Sequence, residues 1–313
     1  MLRVMFIGTS SARPTVSRNT SALAVQRGAD LYLFDCGEGT QRQMMRYGVG
    51  FMVREIYLTH MHADHYLGVV GLLRTMSLQD RLEALAIYTP PGGEELLRQA
   101  VGLELAELSF PVRIEALVPD ASNQHDGYSI SAYAVSHPGG ANGYVLRESA
   151  RPGRFYPERA LELGVPEGPL FGRLQRGEAV LAEDGRQVEP GDVMGPPRPG
   201  RTVVYTGDTR PCDSTVKVAA GCDLLIHEAT FSDDEVDRAQ RTGHSTARQA
   251  GEVAQAAGVH RLVLTHLSAR YSERAYVLER EAKRACGGAC EVLVAYDGLT
   301  IEVPFRDAEE AEP

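Results

Sequence analysis

The sequence predicts an α/β protein in which a long insertion interrupts an otherwise regular fold. Short hydrophobic segments typical of strands alternate with segments typical of helices through most of the 313 residues. Residues 149–200 break this alternation and are rich in Gly, Pro and Arg. The composition is 43% hydrophobic and 24% charged, as in a soluble globular protein. We therefore predict a single domain over residues 1–313, with an inserted arm at about 149–200.

The predicted elements follow from local patterns along the chain. The stretch YSISAYAVSH alternates as a half-buried strand does, and NGYVLRE is expected to be its hairpin partner. The insertion is expected to contain one short helix near 157–163. The predicted helices lie at 38–47, 65–78, 92–101 and 245–257. The predicted strands lie at 3–8, 21–26, 30–36, 55–60, 84–90, 128–137, 142–148, 201–208, 222–229, 260–266, 291–295 and 299–304.

Several features bear on the cellular location. No apolar run reaches the roughly 18 residues that a membrane helix needs, and the apolar start MLRVMFIGTS is predicted to be a strand instead of a signal peptide. The five cysteines lack zinc-ribbon spacing, and we expect Cys286 and Cys290 to be free thiols. We therefore expect a cytoplasmic protein without membrane contact. The net charge of −10 argues against general coating of nucleic acid, although a local basic feature remains compatible with it.

The stretch LTHMHADHYLG (58–68) follows a predicted strand and contains an unusual density of imidazole groups. His60 and His62 are separated by one residue, so both rings can point the same way from an extended turn. Asp64 and His65 belong to the next turn of the chain and can face a second point. One ion cannot easily use all four side chains, whereas two neighbouring ions can.

Other candidate ligands stand at the ends of other predicted strands, where α/β sheets place their sites. They are His137, Asp208 and His266, while His227 and Glu228 end a further strand. A lone strand-end histidine is usually structural, but this repeated pattern predicts metal binding. We expect one ion to take His60, His62 and His137, the second to take Asp64, His65 and His266, and Asp208 to bridge them. Nitrogen and carboxylate ligands suit two Zn²⁺ ions, with Mn²⁺ or Fe as alternatives, and such a pair can generate a hydroxide nucleophile.

The motif H-x-H-x-D-H, followed later in the chain by the strand-end residues His137, Asp208 and His266, resembles the metallo-β-lactamase superfamily. The resemblance covers about residues 1–305 and implies an αβ/βα sandwich. Further stretches resemble the ribonuclease Z family within it. They are FIGTSSARPTVSRNTSALAV, LFDCGEGTQRQM, VVYTGDTRPCDS, HEATF followed by GHST, LTHLSARY and, in the insertion, EGPLFGRLQRGE. The loop HPGGANGY after His137 departs from that family and is closer to other phosphodiesterase branches.

The ribonuclease Z resemblance implies a zinc-dependent endoribonuclease that cuts precursor tRNA. It would hydrolyse the phosphodiester at the 3′ end of the tRNA, remove the trailer and leave a 3′ hydroxyl. Asp64 would take the proton of the attacking water while it also binds metal. His244 would donate a proton to the leaving oxygen and Glu228 would orient it. The resemblance also implies a homodimer in which the arm of one subunit helps to hold tRNA for the other.

Alternatives remain open for several residues. His227 is expected to be structural, and His244 taken alone could belong to a helix cap region beside Ser245. Ser268 and Arg270 could hold the phosphate or the 3′-end nucleotides, or lie in a solvated loop. Arg173 and Arg176 lie in GPLFGRLQRG, which has no acidic residue, and could contact phosphates or belong to a dimerisation flap.

Two other functions remain possible from the sequence. The first is a di-metal phosphodiesterase or arylsulfatase-type hydrolase of small substrates, with the arm as a lid. The second is a metal-binding or RNA-binding protein without catalysis, which the complete set of acidic and basic groups argues against. The sequence leaves open the physiological metal, the preferred trailer and any exonuclease trimming.

Overall fold

The computed structural model describes residues 1–102 and 107–306, which form two compact units. The first unit combines Met1–Arg147 with Thr202–Pro304. The second unit combines Glu148–Arg201 with Phe305 and Arg306. The organisation as a single domain with an inserted arm stays a prediction.

Two seven-stranded sheets make the framework of the first unit. The strands of one sheet, in spatial order, are Thr300–Glu302, Leu2–Gly8, Ala22–Arg27, Asp30–Phe34, Glu55–Tyr57, Leu85–Thr89 and Val112–Ala116. The strands of the other are Glu291–Val294, Arg261–Thr265, Leu224–Glu228, Thr202–Tyr205, Asn142–Glu148, Tyr128–Ala134 and Ser122–His125. Strands Tyr128–Ala134 and Asn142–Glu148 are neighbours, as the predicted hairpin requires.

Side chains from the facing surfaces of both sheets pack into one core, which includes Phe6, Tyr32, Tyr144, Ile226 and Val263. Two further cores lie on the outer faces, where each sheet packs against its own helices. The first sheet is covered by Thr40–Arg46, Gly68–Leu78 and Glu94–Gly102, and the second by Asp213–Val218, Ala247–Ala257 and Ala275–Cys286. This order of layers is the predicted αβ/βα sandwich, because alternate residues of each strand face opposite layers.

The strands end earlier than the sequence suggested, and the difference places the candidate ligands on loops. Strand Glu55–Tyr57 ends before Thr59, whose backbone N–H donates to the Asp35 carboxylate at 2.8 Å instead of to a neighbouring strand. Strand Thr202–Tyr205 ends before Gly207, which has a φ of 57°. A Cβ at Gly207 would lie 2.6 Å from the Thr59 side chain, so glycine lets these two loops approach.

The remaining elements of the first unit include several that the sequence analysis missed. The missed strands are Val112–Ala116 and Ser122–His125, and the missed helices are Asp213–Val218, Val236–Thr242 and Ala275–Cys286. The helix expected at 65–78 is two helices, Ala63–Tyr66 and Gly68–Leu78. Two single 3₁₀ turns lie at Asp233–Glu235 and Ala269–Tyr271.

The second unit has more regular structure than the single short helix that the sequence suggested. Helices Pro157–Glu162, Pro169–Gln175 and Pro190–Val193 each begin with proline, which is favourable in the first helical turn. A small hairpin pairs Val180–Leu181 with Gln187–Val188. A separate apolar core holds the unit together and consists of Ala160, Val165, Leu174, Val180, Ala182, Val188 and Val193. The elements are too short for periodicity to reveal them in the sequence.

Two other sequence expectations concern the whole chain. Cys286 and Cys290 are joined by a disulfide, so the expectation of free thiols was wrong. The spacing places Cys290 just beyond the end of helix Ala275–Cys286, where the chain turns back towards the helix end. Among the described residues, no helix combines the length and the apolar character needed to span a bilayer.

Candidate metal centre

Three histidines predicted to share one ion lie together beside the strand ends of the first unit. The Nε2 atoms of His60 and His137 lie 2.9 Å and 3.3 Å from His62 Nδ1. His60 and His137 are buried, whereas His62 is exposed. These three nitrogens and a carboxylate oxygen of Asp208 lie within 4.8 Å of one another, so they can ligate one ion.

The residues predicted for the second ion form an adjacent group. His65 Nε2 and His266 Nε2 lie 3.5 Å and 3.4 Å from Asp64 Oδ2. Both histidines are buried, and Asp64 is half-buried. The three ligand atoms again fall within 4.8 Å of one another.

Asp208 lies between the two groups, in the place that the sequence predicts for a bridging ligand. Its Oδ2 is 3.6 Å from His60 Nε2 and 3.4 Å from His65 Nε2, while its Oδ1 is 3.3 Å from His266 Nε2. Two buried atoms here, Asp208 Oδ1 and His65 Nε2, lack hydrogen-bond partners among the described residues. Because buried polar atoms are rarely left unpaired, their convergence fits a bound cation.

A second layer of hydrogen bonds fixes the ligand rings through their other nitrogens. His65 Nδ1 donates to the Asp35 carboxylate at 2.8 Å, and His137 Nδ1 donates to the Gly243 carbonyl at 2.8 Å. His266 Nδ1 lies 2.9 Å from Thr230 Oγ1. In each case the bond at Nδ1 leaves Nε2 available to a metal, as is usual for metal-binding histidines.

The backbone is strained at two residues of this region. Asp35 has a φ of 60° and His266 a φ of 57°. These values lie in the left-handed region, which residues other than glycine rarely adopt. The Asp35 carboxylate compensates by accepting from Thr59 and from the Tyr205 hydroxyl at 2.8 Å as well as from His65. Strain of this kind is held only where surrounding contacts determine the conformation, as at functional sites.

The charges of the site favour ionised carboxylates. Burial lowers the pKa of His60 well below its usual value, and burial also lowers the pKa of His137. Burial alone would raise the pKa of Asp208, but the charges of His266 and His65 lower it well below its usual range. Burial would lower the pKa of His65, but Asp208 and Asp35 raise it well above its usual value. A divalent cation would replace that proton as the partner of the carboxylates.

A histidine and a glutamate stand beside the ligand groups as a hydrogen-bonded pair. His244 Nδ1 lies 2.8 Å from Glu228 Oε1, and the His244 side chain is 16% exposed. Glu228 is fully buried and also accepts from the Thr209 N–H at 2.8 Å and the Thr230 hydroxyl at 2.6 Å. Burial would lower the pKa of His244, but the charge and hydrogen bond of Glu228 raise it to about 9. The pair therefore keeps a proton at neutral pH beside the candidate metal ligands.

His227 points away from this pair. It is fully buried, and its Nδ1 donates to the backbone carbonyl of Glu228 at 2.7 Å. It belongs to none of the groups of possible ligands found among the described residues. Its Nε2 is buried without a hydrogen-bond partner among the described residues, and the structural role of His227 stays a prediction.

A cavity of about 260 Å³ opens beside the ligands. Ser268 and Arg270, predicted to contact substrate, both line it, together with His62, Asp64, Asp208, His244 and His266. The lining residues that were not predicted from the sequence are Ser11, Ala12, Thr230, Phe231, Arg238 and Thr242. Phe231 lies in the HEATF stretch already quoted, but Arg238 and Thr242 lie in a helix that the sequence analysis had not recognised.

Comparison with known proteins identifies the family. A ribonuclease Z of Myxococcus xanthus is 54% identical over 307 residues, which cover 98% of this chain and 99% of the relative. The chain belongs to the ribonuclease Z family. A ribonuclease Z of Halorubrum lacusprofundi is 52% identical over 310 residues and covers 99% of each chain. The predicted family and the predicted metal-dependent endoribonuclease class are confirmed.

Family profiles and solved structures agree on the fold. A profile for the anti-Pycsar protein Apyc1 matches residues 2–137, and one for a beta-lactamase superfamily domain matches residues 180–267. The crystal structure of human tRNase Z, short form, matches with a TM-score of 0.69 and 28% identity, covering 97% of this chain and 100% of that one. The metallo-beta-lactamase fold protein YhfI of Bacillus subtilis, at 22% identity, also has a TM-score of 0.69 and bears on the fold alone. The predicted metallo-β-lactamase fold is thereby confirmed, and the His/Asp cluster supports a divalent metal.

The two arginines predicted to bind RNA in the insertion belong to the second unit of this ribonuclease Z family member. Arg173 Nε lies 3.0 Å from one Glu178 oxygen, and Arg176 Nε lies 3.4 Å from the other. All three side chains are exposed. The stretch GPLFGRLQRG contains no acidic residue, but Glu178 lies next to both of its arginines in the structure. The net charge around Arg173 and Arg176 is therefore lower than the stretch alone indicates.

Proposed function

We propose that this chain hydrolyses the phosphodiester at the 3′ end of precursor tRNA with two Zn²⁺ ions. The observation that carries the proposal is the position of Asp208. It belongs to the first ligand group and lies 3.4 Å and 3.3 Å from His65 Nε2 and His266 Nε2 of the second, with the His244–Glu228 pair beside them. The ribonuclease Z relatives supply the substrate class, since they match the chain along nearly its full length. The donor set of imidazoles and carboxylates suits Zn²⁺.

Each ligand has an assigned place in this proposal. One ion would be held by His60, His62 and His137 and the other by Asp64, His65 and His266, and Asp208 would be available to both. When bound, such a pair would supply a water nucleophile at neutral pH and would neutralise charge that develops on the phosphoryl oxygens. Hydrogen bonds to His65, His137 and His266 keep their ligand nitrogens directed at the ions.

Asp64 and His244 handle the protons. The Asp64 carboxylate lies 3.5 Å from His65 Nε2 and 3.4 Å from His266 Nε2, so it would share an ion with these histidines at the edge of the cavity. It accepts a hydrogen bond from the attacking water and then its proton. His244 enters the reaction protonated and donates to the leaving 3′ oxygen. Glu228 stabilises that protonated form through the bond to Nδ1, which leaves Nε2 as the donor.

Incubation of the purified protein with end-labelled precursor tRNA tests the proposal. We expect one cut, with a 3′ hydroxyl on the tRNA product and a 5′ phosphate on the trailer. Bis(p-nitrophenyl) phosphate distinguishes a small-substrate hydrolase from the RNA enzyme. Turnover of this diester without any cut in precursor tRNA would contradict the proposal, and metal analysis should give two Zn²⁺ per chain.

We also propose that the enzyme is a homodimer and that its arm binds tRNA. Support comes from the resemblance of EGPLFGRLQRGE to the arm tip of the ribonuclease Z family. Light scattering during size-exclusion chromatography measures the mass directly, and a chain mass of 34.1 kDa would contradict a dimer. The cytoplasmic location stays a prediction.

A further inference from the structure

One wall of the cavity carries positive charge around a buried aromatic ring. Arg238 and Arg270 both line the cavity, and their guanidinium groups lie 5.7 Å and 6.0 Å from the centre of the Phe231 ring. Phe231 is buried, whereas the side chains of Arg238 and Arg270 are 47% and 42% exposed. The arginine stems therefore pack in the protein while their charged ends reach solvent in the cavity. We call Phe231, Glu235, Arg238, Arg270 and Tyr271 the Phe231 cluster.

Glu235 forms ion pairs with both arginines. Its Oε1 lies 3.1 Å from Arg270 Nη1 and 3.6 Å from Arg238 Nη1. Its Oε2 accepts from the Tyr271 hydroxyl at 2.6 Å, and that hydroxyl also accepts from the Ser232 N–H at 3.2 Å. One carboxylate thus stands between two guanidinium groups, and the group of three retains one positive charge. Glu235 offsets one of the two charges, as Glu178 does for Arg173 and Arg176. The distinguishing feature here is location, because Arg238 and Arg270 line the cavity beside the candidate ligands, where a phosphate of bound RNA can reach them.

The Phe231 cluster lies on a particular side of the reaction centre. The Phe231 ring is 6.0 Å from the His244 ring, so the cluster adjoins the proposed proton donor. His244 donates to the leaving 3′ oxygen, and that oxygen belongs to the last nucleotide that the tRNA retains. The sugar of this nucleotide must therefore approach the same side of the cavity. Its own 5′ phosphate is the next anionic group along the strand.

We infer that Arg238 and Arg270 bind the phosphate one linkage upstream of the cut and so set the direction in which RNA enters the cavity. The trailer then leaves the ligands on the side away from the Phe231 cluster. This inference rests on the proposed function, because the polarity follows from the identity of the leaving group. Phe231 acts as a positioning residue that supports both guanidinium groups.

Precursor tRNAs with one neutral methylphosphonate linkage test the inference. One substrate has the neutral linkage immediately upstream of the cut, and another has it immediately downstream. The double variant Arg238→Gln/Arg270→Gln keeps the aliphatic stems but removes the charges. We expect the variant to lose roughly 10-fold or more in kcat/KM on normal RNA, the scale of a charge-assisted contact. The upstream neutral linkage should reduce the wild-type rate similarly and the variant rate by less than about 2-fold, because the contact is already gone.

Arg241→Gln is the matched control. Arg241 lies on the same helix, Val236–Thr242, but does not line the cavity. It should behave as the wild type on all substrates. The inference would be overturned if the upstream neutral linkage reduced kcat/KM of the double variant as much as that of the wild type. It would also be overturned if the double variant removed the effect of the downstream neutral linkage instead. Failure of the wild type to cut any precursor tRNA would instead contradict the proposed function.

Binding of the reaction product gives a readout that needs no turnover. Fluorescence anisotropy measures the Kd of an RNA hairpin that ends in the mature 3′ hydroxyl, with the metal-loaded enzyme at several salt concentrations. The double variant should bind more weakly, and its log–log salt dependence should be shallower by about 0.7 for each lost single-strand phosphate contact. An unchanged salt dependence would show that the arginines do not contact RNA phosphate.

Discussion

The metal centre and the second unit present charged residues in opposite ways. At the metal centre, Asp208 and His65 are buried, and each leaves a polar atom without a hydrogen-bond partner among the described residues. In the second unit, Arg173 and Arg176 are exposed, and Glu178 already pairs with both. The first arrangement requires a ligand to complete it, whereas the second is complete in the free protein. Loss of a residue should therefore have a large effect at the centre and a small one in the second unit.

Asp208→Ala should have the largest effect. This change removes the carboxylate that lies between both ligand groups, so we expect fewer than two metal ions per chain and no hydrolysis of either RNA or small diesters. Elemental analysis of the purified variant measures the first quantity, and the two substrate assays measure the second. Two bound ions in the variant would mean that Asp208 does not bridge. Asp223→Ala is a suitable control, since Asp223 is also acidic but lies outside the groups of possible ligands.

His244→Ala should have the next largest effect, and only on substrates with a poor leaving group. We expect RNA cleavage to slow by roughly 10²–10⁴-fold, the usual contribution of general acid catalysis. A nitrophenolate leaves without a proton, so hydrolysis of bis(p-nitrophenyl) phosphate should change much less. Equal losses on both substrates would assign His244 to metal binding instead of proton transfer.

Glu228→Gln should lower the rate less and change its pH dependence. Activity requires protonated His244, so the wild-type rate should fall as the pH rises through the His244 pKa, which Glu228 raises to about 9. The substitution removes the negative charge, lowers that pKa and moves the alkaline fall in kcat to lower pH. We expect the rate at neutral pH to fall by roughly 10–100-fold, as for other partners of active-site histidines. If kcat of the variant fell at the same alkaline pH as kcat of the wild type, Glu228 would not control the proton on His244.

The same contrast explains what could be predicted from the sequence. The ligand groups were predictable because each of their main residues follows a hydrophobic strand. His60 follows a strand of the first sheet, whereas His137, Asp208 and His266 follow strands of the second, and strand ends are where α/β sheets place their sites. Asp35 was not singled out, since its role is to hold His65 and Thr59 through contacts that depend on a left-handed backbone. Arg238 was missed because its helix is short and lacks a strong apolar period. In the second unit, composition predicted an insertion but could not reveal that Glu178 folds back on Arg173.

Replacement of residues 155–195 by a Gly/Ser linker should impair cleavage of precursor tRNA but not hydrolysis of small diesters. The second unit has its own apolar core, and none of the candidate ligands belongs to it. We therefore expect both metals to remain bound and small-diester turnover to survive. If the arm binds tRNA, the KM for precursor tRNA should rise and kcat/KM should fall, by an amount that we expect to exceed about 10-fold. An unchanged ratio of kcat/KM values for the two substrates would exclude the arm as an RNA-binding element.

The smallest effect should come from Arg173→Gln/Arg176→Gln. Hydrogen bonds from both arginines lower the pKa of Glu178, so the carboxylate is ionised and offsets part of their charge. RNA phosphate must compete with it, and we expect only a several-fold rise in the KM for precursor tRNA, with a shallower salt dependence. Glu178→Gln supplies the opposite change, because it removes the competing charge and leaves both arginines. If these arginines contact RNA, Glu178→Gln should lower the KM while the double variant raises it, and neither should alter small-diester turnover. Changes of the same sign in both variants would mean that the three side chains maintain the fold of the second unit instead of binding RNA.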